Sequence, residues 1–169
     1  MYDAAVAAVK RNTTHHLDGL VFWTEIPAAT NTSGVGYYFA NFTWPPNPFA
    51  EANASIGAYI QFSPALNSIT LEVNGARVHT LDPTNPVADI STYLVAGDNH
   101  VLAIVPSTMW NYLRSILGDI KNLGATPFGP GETLSVDMIP KTENGLVGVV
   151  NIIPYEALRV GALDGQQEC

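Results

Sequence analysis

The residues able to do chemistry are many, but few are spaced for it. Fifteen carboxylates are present in a chain of 169 residues. Glycoside hydrolysis would need two of them facing one sugar about 5–10 Å apart. Glu25 stands beside Trp23, and Asp82 and Asp89 flank a proline-rich loop. The neighbours Pro83 and Ser91 mark both aspartates as turn and cap residues, because Asp accepts hydrogen bonds from backbone two residues on. Nucleophilic catalysis has no support: there is no G-x-S-x-G elbow, and the single cysteine, Cys169, is terminal. Gly129-Pro-Gly131 lacks the lysine of a phosphate loop. His15-His16 would point to opposite faces of a strand, with no third ligand spaced nearby. A structural calcium held by loop carboxylates and carbonyls is compatible with the composition, but no complete ligand set stands out, so no cofactor is expected.

Recognition of a ligand is better provided for. Sugars are held by an aromatic face stacked on C–H groups, with polar side chains fixing the hydroxyls. Trp110, Asn111, Arg114, Asp82, Tyr37 and Trp23 are the candidate ligand-binding residues. Trp23 and Trp44 alternate as core residues do. Trp110 lies off the Met109/Leu113 stripe and is the aromatic expected at the surface. An exposed aromatic serves equally well as an anchor for a protein partner.

The elements that must position these residues read as strands. Ile69, Leu71 and Val73 alternate with Thr70 and Glu72, the period of a strand with one buried face. Asn74-Gly75 then supplies the strongest short hairpin signal, since a type I′ turn needs positive φ twice. Val101–Val105 is an unbroken apolar run and reads as a strand buried on both faces. Further strands are expected over 20–26, 37–44, 55–62, 133–139, 145–153 and 155–160. In the second, Tyr38, Ala40, Phe42 and Trp44 point inward and Asn41 outward. Residues 88–94 lack period two and suit a helical turn. Ser107 can cap one short helix over 108–117, ended by Gly118-Asp119. About eight short strands with proline and glycine punctuation predict an all-β, antiparallel β-sandwich or jelly roll with one short helix. The domain spans residues 17–160, behind a peripheral segment over 1–16 and before a flexible tail over 161–169.

Composition narrows the function further. Hydrophobic residues make up 47% and charged ones 13%, which argues for a packed core over disorder. A net charge of −8 argues against nucleic acid and anionic membrane as partners. No stretch is apolar for long enough to span a bilayer. Residues 2–9 are alanine-rich but too short, and without a basic lead, for a convincing signal peptide. Four N-x-Ser/Thr sequons, at Asn12, Asn31, Asn41 and Asn53, nevertheless argue for a secreted, extracellular glycoprotein. Cys169 is free or pairs with another chain.

Taken in order, 17–27 (Leu-Asp-Gly-Leu-Val-Phe-Trp-Thr-Glu-Ile-Pro), 33–38 (Ser-Gly-Val-Gly-Tyr-Tyr), Val73-Asn-Gly75, 81–91, 93–99, Asn111-Tyr-Leu-Arg114 and Gly145-Leu-Val-Gly148 resemble one family. It is the C-terminal galactose-binding-like jelly roll of fungal and bacterial glycoside hydrolases, especially the α-L-rhamnosidase-like enzymes and related family 2 sandwich domains. The resemblance implies a non-catalytic module that binds carbohydrate or packs on a catalytic domain. The expected function is therefore a secreted, lectin-like carbohydrate-binding module without enzymatic activity. The alternative is an accessory subunit that docks on and stabilises a larger secreted enzyme, a glycosidase or a fungal oxidase, and that reading requires a contiguous exposed apolar patch.

Overall fold

A computed structural model describes residues 12–46, 54–122 and 139–158. Its strands form two antiparallel sheets, and the expected all-β sandwich is found. Strand β1 (Val35–Trp44) pairs with β6 (Gly97–Pro106), β6 with β3 (Thr70–Val73), and β3 with β4 (Ala76–Arg77). The second sheet places β2 (Ala54–Phe62) between β5 (Val87–Asp89) and β7 (Val150–Leu158). Both sheets feed one core. Ala58, Ile60 and Phe62 of β2 and Ala88 of β5 meet Leu71 and Val73 of β3 and Val101, Ala103 and Val105 of β6. Alternation along each strand puts these side chains on one face, and burying them is the main favourable contribution to the fold.

The central hairpin forms as the turn chemistry dictates. Asn74 and Gly75 both have positive φ, 52° and 77°. The Asn74 side chain also ties the turn down: its amide donates to Tyr93 O and to Asn99 Oδ1, each at 2.8 Å, and its Oδ1 accepts the His100 N–H at 2.9 Å. Asn99 is fully buried and its own amide donates to Val95 O and Gly97 O. Every polar atom of that side chain is thereby paired, which is what lets an asparagine sit in the core.

Several expectations are corrected. Residues 20–26 are not a strand. Leu20 makes one isolated bridge to Gly148, and Trp23–Glu25 is a turn of 3₁₀ helix. The strand expected from 145 starts only at Val150, because Gly145 and Gly148 have φ of 105° and 78°, outside the extended region. That strand then continues through Pro154 instead of breaking there. β7 is an edge strand, and an edge proline can leave its missing N–H on the unpaired side. Val101–Val105 is buried on one face only: Leu102 and Ile104 are partly exposed on the other. Within β1 Tyr38, Phe42 and Trp44 point inward as expected, while Ala40 on the same face remains exposed. The single helix is two short ones, α1 (Trp110–Ser115) and α2 (Leu117–Asn122), and α2 runs through Gly118 and Asp119. Ser107 does not cap α1. Its hydroxyl accepts the Gly34 N–H at 2.8 Å and so ties the helix approach to β1. Residues 88–94 divide between the end of β5 and a 3₁₀ turn at Ser91–Tyr93. All but the last residue of the strand expected over 133–139, most of the segment over 1–16 and the tail over 161–169 lie outside the described residues.

Candidate functional site

The six candidate ligand-binding residues do not converge. Trp23 is buried, and its indole N–H donates to the Tyr38 hydroxyl at 2.7 Å. The same oxygen accepts the Leu146 N–H at 3.1 Å. Gly145 closes the knot: a Cβ there would fall 2.7 Å from the Trp23 ring. Trp23 thus fastens the N-terminal arm to residues 144–146, which explains the 3₁₀ turn in place of a strand.

Helix α1 carries three candidates, and each is joined to residues 139–142. Asn111 is 1% exposed. Its amide donates to Thr142 O at 2.7 Å and its Oδ1 accepts the Thr142 N–H at 2.8 Å. This two-way amide clamp occupies the side chain from inside the fold. Arg114 is half-buried, and its Nε–H donates to Ile139 O at 2.6 Å. Trp110 is 42% exposed, with its N–H held by Pro140 O at 3.0 Å, but it does not owe this to lying off a buried stripe. The stripe itself faces outward: Met109 and Leu113 are exposed, and the helix buries Asn111 instead. The 139–142 segment, not the 3.6-residue period, decides which side of so short a helix is covered.

Asp82 sits in the loop before β5. Its Oδ1 accepts the Thr84 N–H at 2.9 Å and the Thr84 hydroxyl at 2.7 Å. The Thr84 hydroxyl and backbone, with Asn85 behind them, hold its carboxyl below the ordinary aspartate value. Asp89 ends β5 and behaves alike. Desolvation pushes its carboxyl up, and the hydrogen bonds from Ser91 and Tyr155 outweigh that, leaving it below the ordinary value. Both acids are used as turn acceptors. A glycosidase general acid needs the opposite, a carboxyl shifted upward. Among the described residues no group of three His, Cys, Asp or Glu side chains is placed to hold a metal, and no helix is long and apolar enough to cross a membrane.

Tyr37 leads to a surface the sequence reading did not assemble. Val35, Tyr37 and Phe39 project from the outer face of β1 and are 49%, 59% and 76% exposed. In register beside them on β6 lie Pro106, Ile104 and Leu102, the latter two partly exposed. The strip is apolar along three successive cross-strand pairs. It becomes polar at the next pair, where Asn41 Oδ1 meets His100 Nδ1 at 2.8 Å. β1 is also the edge of its sheet. The sequence signal for this surface is the apolar run at 101–105, whose unbroken pattern reads as a doubly buried strand but whose alternate residues Leu102 and Ile104 face outward. Of the sequons, Asn12, Asn31 and Asn41 are exposed, and Asn53 lies outside the described residues.

No protein-family model matches the chain, and no curated protein matches it by sequence. Solved structures do resemble it. A rhamnosidase from Novosphingobium sp. PP1Y superposes with a TM-score of 0.54 at 20% identity, over 76% of this chain and 12% of the rhamnosidase. An FMN-binding β-glucuronidase from Faecalibacterium prausnitzii L2-6 gives a TM-score of 0.49 at 20% identity, over 86% of this chain and 19% of that one. This chain therefore spans about an eighth of the rhamnosidase and a fifth of the glucuronidase. The rhamnosidase likeness shows a shared sandwich fold, present there as a minor part of a longer glycoside hydrolase.

Proposed function

We propose that this chain is a secreted, non-catalytic sandwich module that docks on a larger carbohydrate-active chain through the outer face of β1 and β6. The observation that carries the reading is Phe39, 76% exposed in the middle of a regular ten-residue edge strand. A phenylalanine so placed offers apolar area to a partner and contributes little to its own fold. Val35, Tyr37, Leu102 and Ile104 extend it into a strip, and contiguous exposed apolar strips mark interaction surfaces. A bare, long, apolar edge strand is otherwise a liability for aggregation, and a docked partner removes it. The choice of partner class draws its support from the fold likeness: the rhamnosidase holds a sandwich of this kind within a much longer chain. Asp82 accepts hydrogen bonds within its own turn and Asp89 from Ser91 and Tyr155, so both are explained by structural roles. The scattering of Trp23, Asn111 and Asp82 weighs against a sugar site built from the six candidate residues.

The test is size exclusion of native secreted material, identification of the co-eluting chain, and hydrogen exchange on the complex. The reading expects a carbohydrate-active catalytic chain, slowed exchange over 35–41 and 100–106, and loss of co-elution in Phe39→Asp. Elution of the module alone, pairing with a second copy of itself, or protection confined to another surface overturns it.

A further inference from the structure

A sequon stands at the polar end of the β1–β6 strip. Asn41 and Thr43 of Asn41-Phe-Thr43 are both exposed on the outer face of β1, the face that also carries Phe39. Residues two apart along a strand share a face and stand about 6–7 Å apart. Of the four sequons, only this one has an aromatic residue two places before its asparagine; Lys10, Ala29 and Glu51 precede the others. The Asn41 amide is already oriented. Its Oδ1 lies 2.8 Å from His100 Nδ1, across the register pair. An amide oxygen only accepts, so Nδ1 carries the proton. Nδ2, the atom to which a glycan is joined, has no hydrogen-bond partner among the described residues. The surroundings are lopsided. Thr43 and Asp98, joined by a 3.1 Å hydrogen bond, stand on one side of the Asn41–His100 pair, and Phe39 and Leu102 on the other.

We propose that an N-glycan at Asn41 lays its first N-acetylglucosamine on the Phe39 ring and thereby decides whether the β1–β6 strip is open to a partner. The attachment is a group transfer during secretion. Asn41 Nδ2 attacks the anomeric carbon of a lipid-diphosphate-linked oligosaccharide. The C–N bond forms, the bond from that carbon to the diphosphate oxygen breaks, the diphosphate leaves with the electron pair, and Nδ2 gives up a proton. Once attached, the sugar has its apolar neighbour on the Phe39 side. The C–H face of a pyranose is weakly positive and the face of an aromatic ring is negative, so the two attract. Stacking also takes from water a ring that is 76% exposed. The His100 hydrogen bond restrains the Asn41 side chain beforehand, so less rotamer freedom remains to be lost. In the undocked module the sugar covers the middle of an apolar edge strand that otherwise invites association. It also occupies the ground that a docked chain needs, so the capped and docked forms exclude each other. That regulation rests on the docking reading above; the cap itself does not.

The whole chain secreted from a glycosylating eukaryotic host tests the proposal, with peptide mass spectrometry reading the occupancy of Asn41. Thr43→Val removes this sequon and keeps Asn41 and Phe39. Thermal melts then form a cycle of sequon present or absent, each with Phe39 and with Phe39→Thr, after an endoglycosidase has trimmed every glycan to its first sugar. The Asn41 sugar is expected to raise Tm by about 2–4 °C beside Phe39 and to leave it unchanged in Phe39→Thr. An equal rise in both backgrounds, no rise in either, or Asn41 left bare while Asn31 is glycosylated overturns the cap. Docking is read separately. On size exclusion of native secreted material, the fraction that co-elutes with a larger chain is expected to carry bare Asn41 and the free fraction glycosylated Asn41. Thr43→Val is expected to bind the co-eluting chain at least about tenfold more tightly than the glycosylated wild type. Equal occupancy in the two fractions or equal affinity overturns the regulation. Absence of any co-eluting chain overturns the docking reading and the regulation with it, while the melts still decide the cap.

Discussion

Replacing Phe39 by threonine separates a docking anchor from a folding residue. Phe39 exposes 76% of its surface, roughly 150 Å² if a large aromatic offers about 200 Å². At about 25 cal/mol per Å² its full burial by a partner is worth up to roughly 4 kcal/mol. Threonine keeps some contact and the partner relaxes, which leaves a loss of about 2 kcal/mol, or roughly a 30-fold rise in Kd. The isolated module loses far less. Only the base of the ring is covered in the fold, and threonine retains strand propensity, so stability should change by less than about 1 kcal/mol. Titration against the co-eluting chain gives the first quantity and denaturant melting the second. A Kd within about threefold of wild type would refute the reasoning, as would a collapse in stability that accounts for lost binding by itself.

Three further outcomes follow from the same contacts. Gly145→Ala combines a φ of 105° with a Cβ 2.7 Å from the Trp23 ring; it should cost about 3 kcal/mol or more in a urea melt and red-shift tryptophan emission, whereas Gly19→Ala, with nothing within 4 Å, should be close to neutral. Asn111→Ala removes both halves of the Thr142 clamp in a buried site and should cost about 2–4 kcal/mol in the same melt; a variant as stable as the wild type contradicts the structural role. Asp89, held below its unfolded value of 3.8 in the fold, contributes stability that is present above that value and lost as pH falls through the lower folded value. The stability difference between wild type and Asp89→Asn should therefore hold steady well above pH 3.8 and shrink as pH falls below it, and a constant difference would contradict the carboxylate's role.

Local signals were legible wherever local physics decides. Asn74-Gly75 forms its turn because both residues accept positive φ whatever surrounds them. The inward set Tyr38, Phe42 and Trp44 follows from a period of two, and the turn roles of Asp82 and Asp89 follow from a threonine or serine two residues on. The misreadings share one cause. An apolar run states that residues are greasy and does not state how many layers will cover them. β6 has a sheet on one side only, so Leu102 and Ile104 became surface where burial was expected. Likewise a helix of six residues (α1) takes its buried side from whatever packs on it, and Thr142 selected Asn111.

The sequence by itself determined most of the strands, the type I′ hairpin and the two-layered β architecture, since periodicity and turn geometry act over a few residues. Only the tertiary structure decided that Trp23 is a core knot, that Asn111 is a clamp, and that Phe39 marks an open sheet face. Those outcomes depend on which distant segments meet, and pairing partners as far apart as Leu20 and Gly148 leave no imprint on the local pattern.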